Sequence, residues 1–428
     1  MPSNLLDTFN QLKPFENKPF ENKPYENKPL TQYNKSTPNL ISTCELYRFM
    51  VNLRNYEEGL FFQLKSTFIY TFKRYKEFKK IVKLYFGMLK LAQLANKSDQ
   101  KRYIFDIRKQ LHKYKNPVLW DVSHITDMRY VFSDIKDITT DISLWDVSNV
   151  ETMDHMFSNS FDFNQDLNKW NVGKVTDMTS MFENCNRFSK PLDKWDVSQV
   201  TSTKNMFKNC HRLNQCLETW DLRKVKNMSH MFENCYCFNS SINDLKLEKA
   251  QNMRYLFAGC HNFNRSVESW NVESVHNMEH MFAECLYFNQ PLNLWKTTNA
   301  KNMSNMFHGC RHFNQPLYKW DVSKVRDMKS MFYNCTYLNQ SFKNWNISQV
   351  KTMEGMFARC QALDQSFENW NMKKVQNINN MFYYCNKLSG SLEKWKLDNV
   401  KDFVSIYSHY KTSDCEIKFR EKVNFPII

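Results

Sequence analysis

Apolar residues recur along most of this chain with a strict period of 25 residues, which tryptophan marks most clearly. Taking Trp as repeat position 1, position 3 is mostly Val, position 6 is Val, Ile or Ala, and position 13 is Phe in all eleven complete repeats. Leu245 fills the single gap in the tryptophan series. The series is Trp120, Trp145, Trp170, Trp195, Trp220, Trp270, Trp295, Trp320, Trp345, Trp370 and Trp395. Such a pattern predicts about twelve repeats that bury their apolar positions against one another.

The spacing within one repeat predicts two short elements. Apolar positions 9, 12, 13 and 16 follow the i, i+3, i+4, i+7 spacing of one helix face. Position 8 is always Asp, Asn, Ser or Thr, as at a helix N-cap, and position 15 is mostly Asn or Gly, as at a helix end. Alternation around positions 1 to 3 indicates a strand. We therefore predict an α/β repeat solenoid that is leucine-rich-repeat-like, with one short strand and one short helix per turn.

The repeats resemble a known family. Residues 320–344, WDVSKVRDMKSMFYNCTYLNQSFKN, and residues 270–294, WNVESVHNMEHMFAECLYFNQPLNL, are similar to BspA-like leucine-rich repeats of the mycoplasma lipoprotein type. Such repeats occur in bacterial surface proteins, in protists and in large DNA viruses. The resemblance covers residues 116–410, and it implies a solenoid that binds other proteins and has no family-wide catalytic residues.

The two ends of the chain lie outside the repeat. Residues 1–39 contain KPFEN microrepeats with a proline at every fifth position, which predicts a disordered low-complexity arm. In residues 40–115 the apolar residues from Leu64 to Leu89 advance by three or four, so we expect an amphipathic helix of seven turns that caps the first repeat. Residues 411–428 would form a C-terminal cap or tail.

The positive charge of the chain is concentrated in one segment. The formal net charge is +15, and residues 60–115 hold 15 lysines and arginines against three carboxylates, a net +12. Three interpretations fit this segment: a structural cap with solvated lysines, a site for nucleic acid or another polyanion, or a helix on an anionic membrane surface. The candidate polyanion-binding residues are Lys73, Arg74, Lys76, Lys79, Lys80 and Lys83.

Composition argues against enzymatic function. The chain has seven glycines and the closest two are 28 residues apart, whereas phosphate-binding loops and nucleophile elbows need two glycines within a few residues. The recurrent cysteines at position 16 lack metal-ligand spacing and indicate core packing. We therefore expect no enzyme activity, no cofactor and no small-molecule substrate. The start of the chain lacks the features of a signal peptide and no segment has the length of a membrane span, so we expect an intracellular, cytoplasmic protein.

The outward positions 25, 2 and 4 of each repeat form the candidate partner surface. Position 2 is Asp or Asn in nine of twelve repeats, so repeats that depart from the pattern are the better candidates for specificity. The departing residues are Arg223, Lys246, Glu248, Glu273 and Lys296. The sequence therefore predicts a protein–protein interaction scaffold with unknown protein partners. The alternative is a nucleic-acid or anionic-membrane binding protein that acts through residues 60–115.

Overall fold

A computed structural model describes residues 70–94, 109, 111–114, 117–136, 138–390, 392, 394–401 and 406. The predicted arm at residues 1–39 and the predicted C-terminal segment at residues 411–428 lie outside these residues. So does most of the predicted helical region at residues 40–115. The repeats from Trp120 onward are therefore described almost completely.

The regular elements precede and open the first repeat. In chain order they are strand β1 (Tyr70–Thr71), helix α1 (Tyr75–Leu94), two 3-10 helices (His112–Tyr114 and Pro117–Leu119) and strand β2 (Trp120–Asp121). Strands β1 and β2 pair in parallel, with Tyr70 opposite Trp120. Within the described residues, we find no helix with the length and apolar character that a membrane crossing requires.

The predicted helix from Leu64 onward is wrong in its first part. Residues 70 and 71 are extended, α1 begins only at Tyr75, and Leu64 lies outside the described residues. The Phe72 N–H donates to the Asp121 carbonyl at 3.0 Å. The first repeat has no preceding turn to pair with its backbone, and a short strand rich in aromatic and β-branched residues supplies the missing partners.

Helix α1 packs its apolar stripe on the first repeat. The Phe78 ring lies 6.2 Å from the Trp120 ring, and the Phe86 ring lies 5.6 Å from Phe132. Phe72, which precedes α1, adds a ring 5.1 Å from that of Trp120. The first repeat of a stack exposes an apolar face that no other repeat covers. These contacts bury that face.

The short helix predicted at positions 9 to 16 of each repeat is absent from the described residues. Positions 11 and 15 adopt left-handed backbone conformations instead, with φ between 50° and 74°. Backbone N–H groups at alternate positions donate to the next turn, as from Phe157 to the Met181 carbonyl at 2.9 Å. In an α-helix these N–H groups would instead donate to carbonyls four residues earlier in the same segment. Hydrogen bonding between turns therefore replaces the helix.

The position-8 side chains accept hydrogen bonds as expected, although they do not cap a helix. For example, Asp177 Oδ1 accepts the Thr179 N–H at 2.9 Å, and Asn302 Oδ1 accepts the Ser304 N–H at the same distance. Such bonds between residues i and i+2 close Asx turns. The polar series at position 8 therefore fixes a turn at each repeat.

The strand predicted around positions 1 to 3 is also displaced. Parallel bridges join position 8 of successive turns from Asp127 to Asn377. At positions 1 to 3, the described residues pair only in β2 and between Asp221 and Lys246. The tryptophan at position 1 instead donates its indole N–H to the position-23 carbonyl 28 residues earlier in the chain, as from Trp320 to Leu292 at 2.9 Å. Tryptophan thus joins adjacent turns through its side chain.

The core consists of side-chain ladders that run from turn to turn. The position-13 phenylalanines stack with centroids 5.3 to 5.8 Å apart from Phe132 to Phe382. The position-16 thiols donate to the position-13 carbonyl of the preceding turn, as from Cys185 to Phe157 at 3.2 Å. Ser160 makes the equivalent bond to Phe132 at 3.0 Å. The cysteine series is thus a hydrogen-bonded part of the core.

Candidate functional site

The outward surface at positions 25, 2 and 4 is uniform in most turns because its carboxylates and amides are used internally. Asp196 Oδ1 accepts the Ser198 N–H at 3.0 Å, and Asn346 Oδ1 accepts the Ser348 N–H at 3.1 Å. The position-2 side chain thus closes a turn onto position 4. This bond explains why Asp and Asn prevail at position 2, and it leaves these groups less available to a partner.

Three turns carry lysine at position 2, namely those of Lys246, Lys296 and Lys396. A lysine side chain has no hydrogen-bond acceptor, so it cannot close the turn onto position 4. Surface depressions lie at the first two of these turns. The departures from the repeat therefore change the shape of the surface as well as its charge.

Three of the predicted partner-binding residues line the same depression. Arg223, Lys246 and Glu248 surround a volume of about 400 Å³, which we call the central depression. Leu245, the residue that interrupts the tryptophan series, also lines it. The backbone of Lys246 pairs in parallel with that of Asp221 in the preceding turn. Residues from successive turns thus form one site.

The central depression carries both signs of charge. Arg223 is held by Asp221, with Nε 2.9 Å from Oδ1 and Nη2 2.6 Å from Oδ2. These hydrogen bonds keep the pKa of Asp221 below its usual value, and the charge of Lys246 acts in the same direction. Lys246 and Glu248 complete a polar lining. This arrangement suits ion pairs and hydrogen bonds with a second molecule.

The other two predicted residues lie one and two turns further along. Lys296 Nζ lies 3.8 Å from Glu273 Oε2, and both side chains are at least half exposed. Lys296 also lines a second depression of about 260 Å³, together with Leu294, Thr298 and Lys319. We call this the second depression. The structure therefore places three of the five predicted residues at the central depression and Lys296 at the second depression, while Glu273 lies beside Lys296 and lines neither.

Sequence reasoning missed two exposed apolar residues beside Lys296. Leu294 is 63 % exposed and Tyr318 is 51 % exposed. A signal was present, because position 24 is polar in the other complete repeats and Tyr318 is its sole apolar member. The partner-binding residues were predicted from departures in charge, so the prediction did not include these two apolar residues.

The six candidate polyanion-binding residues fall into two groups. Lys73, Arg74, Lys76 and Lys80 are exposed. Lys79 instead lies over the rings of Tyr75 and Tyr130, with its Nζ 5.6 and 5.2 Å from their centroids.

Lys83 belongs to the second group with Lys79. It donates to the Ser133 carbonyl, and its partial burial lowers the pKa of its ammonium. Lys79 and Lys83 thus attach α1 to the first repeat, which leaves four cations on the surface.

The described residues contain no group of three or more His, Cys, Asp or Glu side chains arranged to hold a metal ion. A family model described as Mycoplasma protein of unknown function, DUF285, matches residues 102–220, 204–320 and 301–418. These consecutive matches span the tandem repeats. A search of curated proteins gives no match to this chain.

Proposed function

The chain belongs to the family described as Mycoplasma protein of unknown function, DUF285, and we propose that it is a protein-interaction scaffold of the BspA-like solenoid type. It holds partners at the outward surface of its repeats and carries out no chemical reaction. The central depression is the principal docking site in this proposal.

One observation carries the proposal. The outward surface is closed by the same internal hydrogen bond in nine repeats, whereas the central depression opens where that bond is missing. Arg223, Lys246 and Glu248 are all departures from the repeat, and together they provide charges and hydrogen-bonding groups at one place. Repeat solenoids use their extended surfaces to bind other molecules.

The absence of enzymatic function is part of the proposal. The described cysteines at position 16 are buried, and burial raises the pKa of each thiol, so they are poor nucleophiles. The two exposed cysteines described, Cys216 and Cys237, have no histidine hydrogen-bonded to their thiols. These features favour a binding role that needs no cofactor.

The first prediction tests the central depression. We expect the variant Arg223→Glu, Lys246→Glu, Glu248→Lys to recover at least about tenfold less of its partners, because it reverses three of the four charges that line the site. The measurement is cross-linking capture from the source cells with quantitative mass spectrometry. All three side chains lie at the surface, so the variant should retain the wild-type thermal melting curve.

Lys351→Glu is the matched control, because it gives the same change of net charge at an exposed position in a regular turn. Its captured proteins should equal those of the wild type. An identical set of captured proteins from the triple variant, at unchanged yield, would contradict the proposal.

A second candidate function is polyanion binding by the first turns of α1 and the two residues before it. Its specific support is that Lys73, Arg74, Lys76 and Lys80 are exposed, while the single carboxylate among residues 73–83 is engaged. That carboxylate, Glu77, accepts the Tyr70 hydroxyl at 2.8 Å. Clustered cations without opposing carboxylates attract phosphate and sulfate groups.

The second prediction concerns this basic surface. We expect the variant with Gln at residues 73, 74, 76 and 80 to elute from heparin at lower salt than the wild type, because fewer counterions are released on binding. The matched control removes the same charge from exposed position-7 lysines, namely Lys226, Lys301, Lys351 and Lys401. Equal elution of the two variants would assign retention to overall charge and not to α1.

A further inference from the structure

Exposed large apolar residues are concentrated in three successive turns. The described residues include seven such side chains, and four of them lie within residues 287–337. These four are Tyr287, Leu294, Tyr318 and Tyr337. Leu294 is the most exposed of all seven, and it lines the second depression. Exposed apolar patches rimmed by polar residues mark interaction surfaces.

Leu294 and Tyr318 belong to chain segments that lie side by side. The Lys319 N–H donates to Asn293 Oδ1 at 3.2 Å, which holds the two segments together across adjacent turns. Lys319 and Lys296 both line the second depression. We call Leu294, Lys296, Tyr318 and Lys319 the apolar-basic surface. It combines two apolar side chains with two ammonium groups.

Two polar groups at this surface have no partner in the described part of the chain. The Lys319 ammonium forms no ion pair there, whereas Lys296 is close to Glu273. The Thr298 N–H has no internal acceptor, because Lys296 cannot supply one at position 2. A ligand at this site can therefore gain one ion pair and one backbone hydrogen bond without breaking bonds within the protein.

We propose that the apolar-basic surface binds an extended peptide segment that carries a large apolar side chain next to an Asp or Glu. The apolar side chain contacts Leu294 and Tyr318, the carboxylate pairs with Lys319, and a backbone carbonyl accepts the Thr298 N–H. This inference rests on the proposed interaction function and names the chemistry of one partner segment.

The charges favour a peptide over a nucleic acid. Asp321 lines the second depression and Glu273 lies beside Lys296. A nucleic acid carries a phosphate at every nucleotide and would place several near these two carboxylates. A peptide can place a single carboxylate at Lys319.

The third prediction is a peptide selection on the full-length chain. We expect a random peptide library displayed on phage to yield clones with Leu, Ile, Phe or Met adjacent to Asp or Glu. A synthetic peptide from this set should bind the variant Leu294→Ser, Tyr318→Ser at least about tenfold more weakly, measured by fluorescence anisotropy. Lys319→Glu should weaken the same peptide and leave a peptide with Gln in place of the acid unchanged.

Phe161→Ser is the matched control, because Phe161 is 43 % exposed and lies far along the chain from this surface. It should bind the peptide as the wild type does. Unchanged affinity in the double variant, or selected peptides without acidic residues, would overturn the inference. So would oligothymidylate binding that Lys319→Glu abolishes, since that result assigns the surface to nucleic acid.

This inference and the proposed function fail in different experiments. The proposed function fails when capture from cells is independent of Arg223, Lys246 and Glu248. The apolar-basic surface fails when peptide binding is independent of Leu294 and Tyr318. Either result leaves the other measurement interpretable.

Discussion

Raising the pH from about 8 to about 10 is expected to unfold the repeats cooperatively, because nine buried thiols must stay protonated in the folded chain. They are Cys185, Cys210, Cys235, Cys260, Cys285, Cys310, Cys335, Cys360 and Cys385. Burial raises the pKa of every one above its ordinary value of 9.0, and that of Cys385 to about 12. This is the largest effect we predict.

The direction follows from where the protons are lost first. The unfolded chain releases its thiol protons near pH 9, while the folded chain retains them to a higher pH. The stabilisation is therefore complete below about pH 8.5 and is lost as the pH rises further. Each thiol contributes about 1.4 kcal/mol per pH unit, so nine contribute on the order of 10 kcal/mol between about pH 9 and 10. That is comparable with the whole stability of a typical domain.

The measurement is the free energy of unfolding from urea titrations at several pH values, under reducing conditions. Replacing Cys260, Cys285 and Cys310 with Ser should lower the slope of free energy against pH above pH 9 by about a third. Ser160 shows that a hydroxyl can make the same hydrogen bond at 3.0 Å. The chain has thirteen cysteines, so ionisation of more than four of them above pH 9, measured by thiolate absorbance while tryptophan fluorescence stays native, would contradict the prediction.

The positions that form the core could be predicted from the sequence. Phe257 at position 13 and Cys260 at position 16 are fully buried, and Trp270 at position 1 is 3 % exposed. Apolar spacing identifies buried positions regardless of the backbone that connects them. These positions lie within the segments that the family model matches.

The backbone between these positions could not be predicted. Position 11 is left-handed whether it is occupied by Ser180, His230 or Tyr255, so no residue type signals the conformation. Left-handed backbone costs about 1 to 2 kcal/mol in such residues. Hydrogen bonds to the next turn offset that cost, and they depend on the stack and not on local sequence. A helix is the expected result when only local spacing is considered.

The candidate sites were predictable to the extent that they interrupt the repeat. Arg223, Lys246 and Glu248 depart from the pattern, and the structure brings them together at the central depression. Their convergence follows from the 25-residue period, which superimposes equal positions of adjacent turns. The exposure of Leu294 depends on the backbone conformation at position 25, and the apolar pattern does not specify that conformation.

A proline at a left-handed position should be the most damaging of the single substitutions considered for the repeats. Asn334 has φ 59°, and its N–H donates to the Ala358 carbonyl at 2.7 Å. Proline requires φ near −65° and has no N–H. Asn334→Pro should therefore lower the free energy of unfolding by at least about 4 kcal/mol, as measured by urea titration.

The matched control lies seven residues further on. Ser341 occupies position 22, where Pro291 and Pro316 occur in the two preceding turns, and its N–H donates no hydrogen bond in the described part of the chain. Ser341→Pro should change the stability by less than about 1 kcal/mol, in the stabilising direction. Similar losses in the two proline variants would contradict the left-handed assignment.

Substitutions of Asn305 separate the observed backbone from the predicted helix, because this residue has φ 55° at position 11, inside that helix. Glycine adopts left-handed backbone without steric cost, so Asn305→Gly should be as stable as the wild type within a few tenths of a kcal/mol. In a helix interior the same substitution would lower the free energy of unfolding by about 0.5 kcal/mol, because Gly is the poorer helix former. Asn305→Ala should show the opposite order, losing about 1 kcal/mol in the left-handed backbone and gaining stability in a helix. Gly more stable than Ala at residue 305 therefore identifies the turn that stacks the repeats.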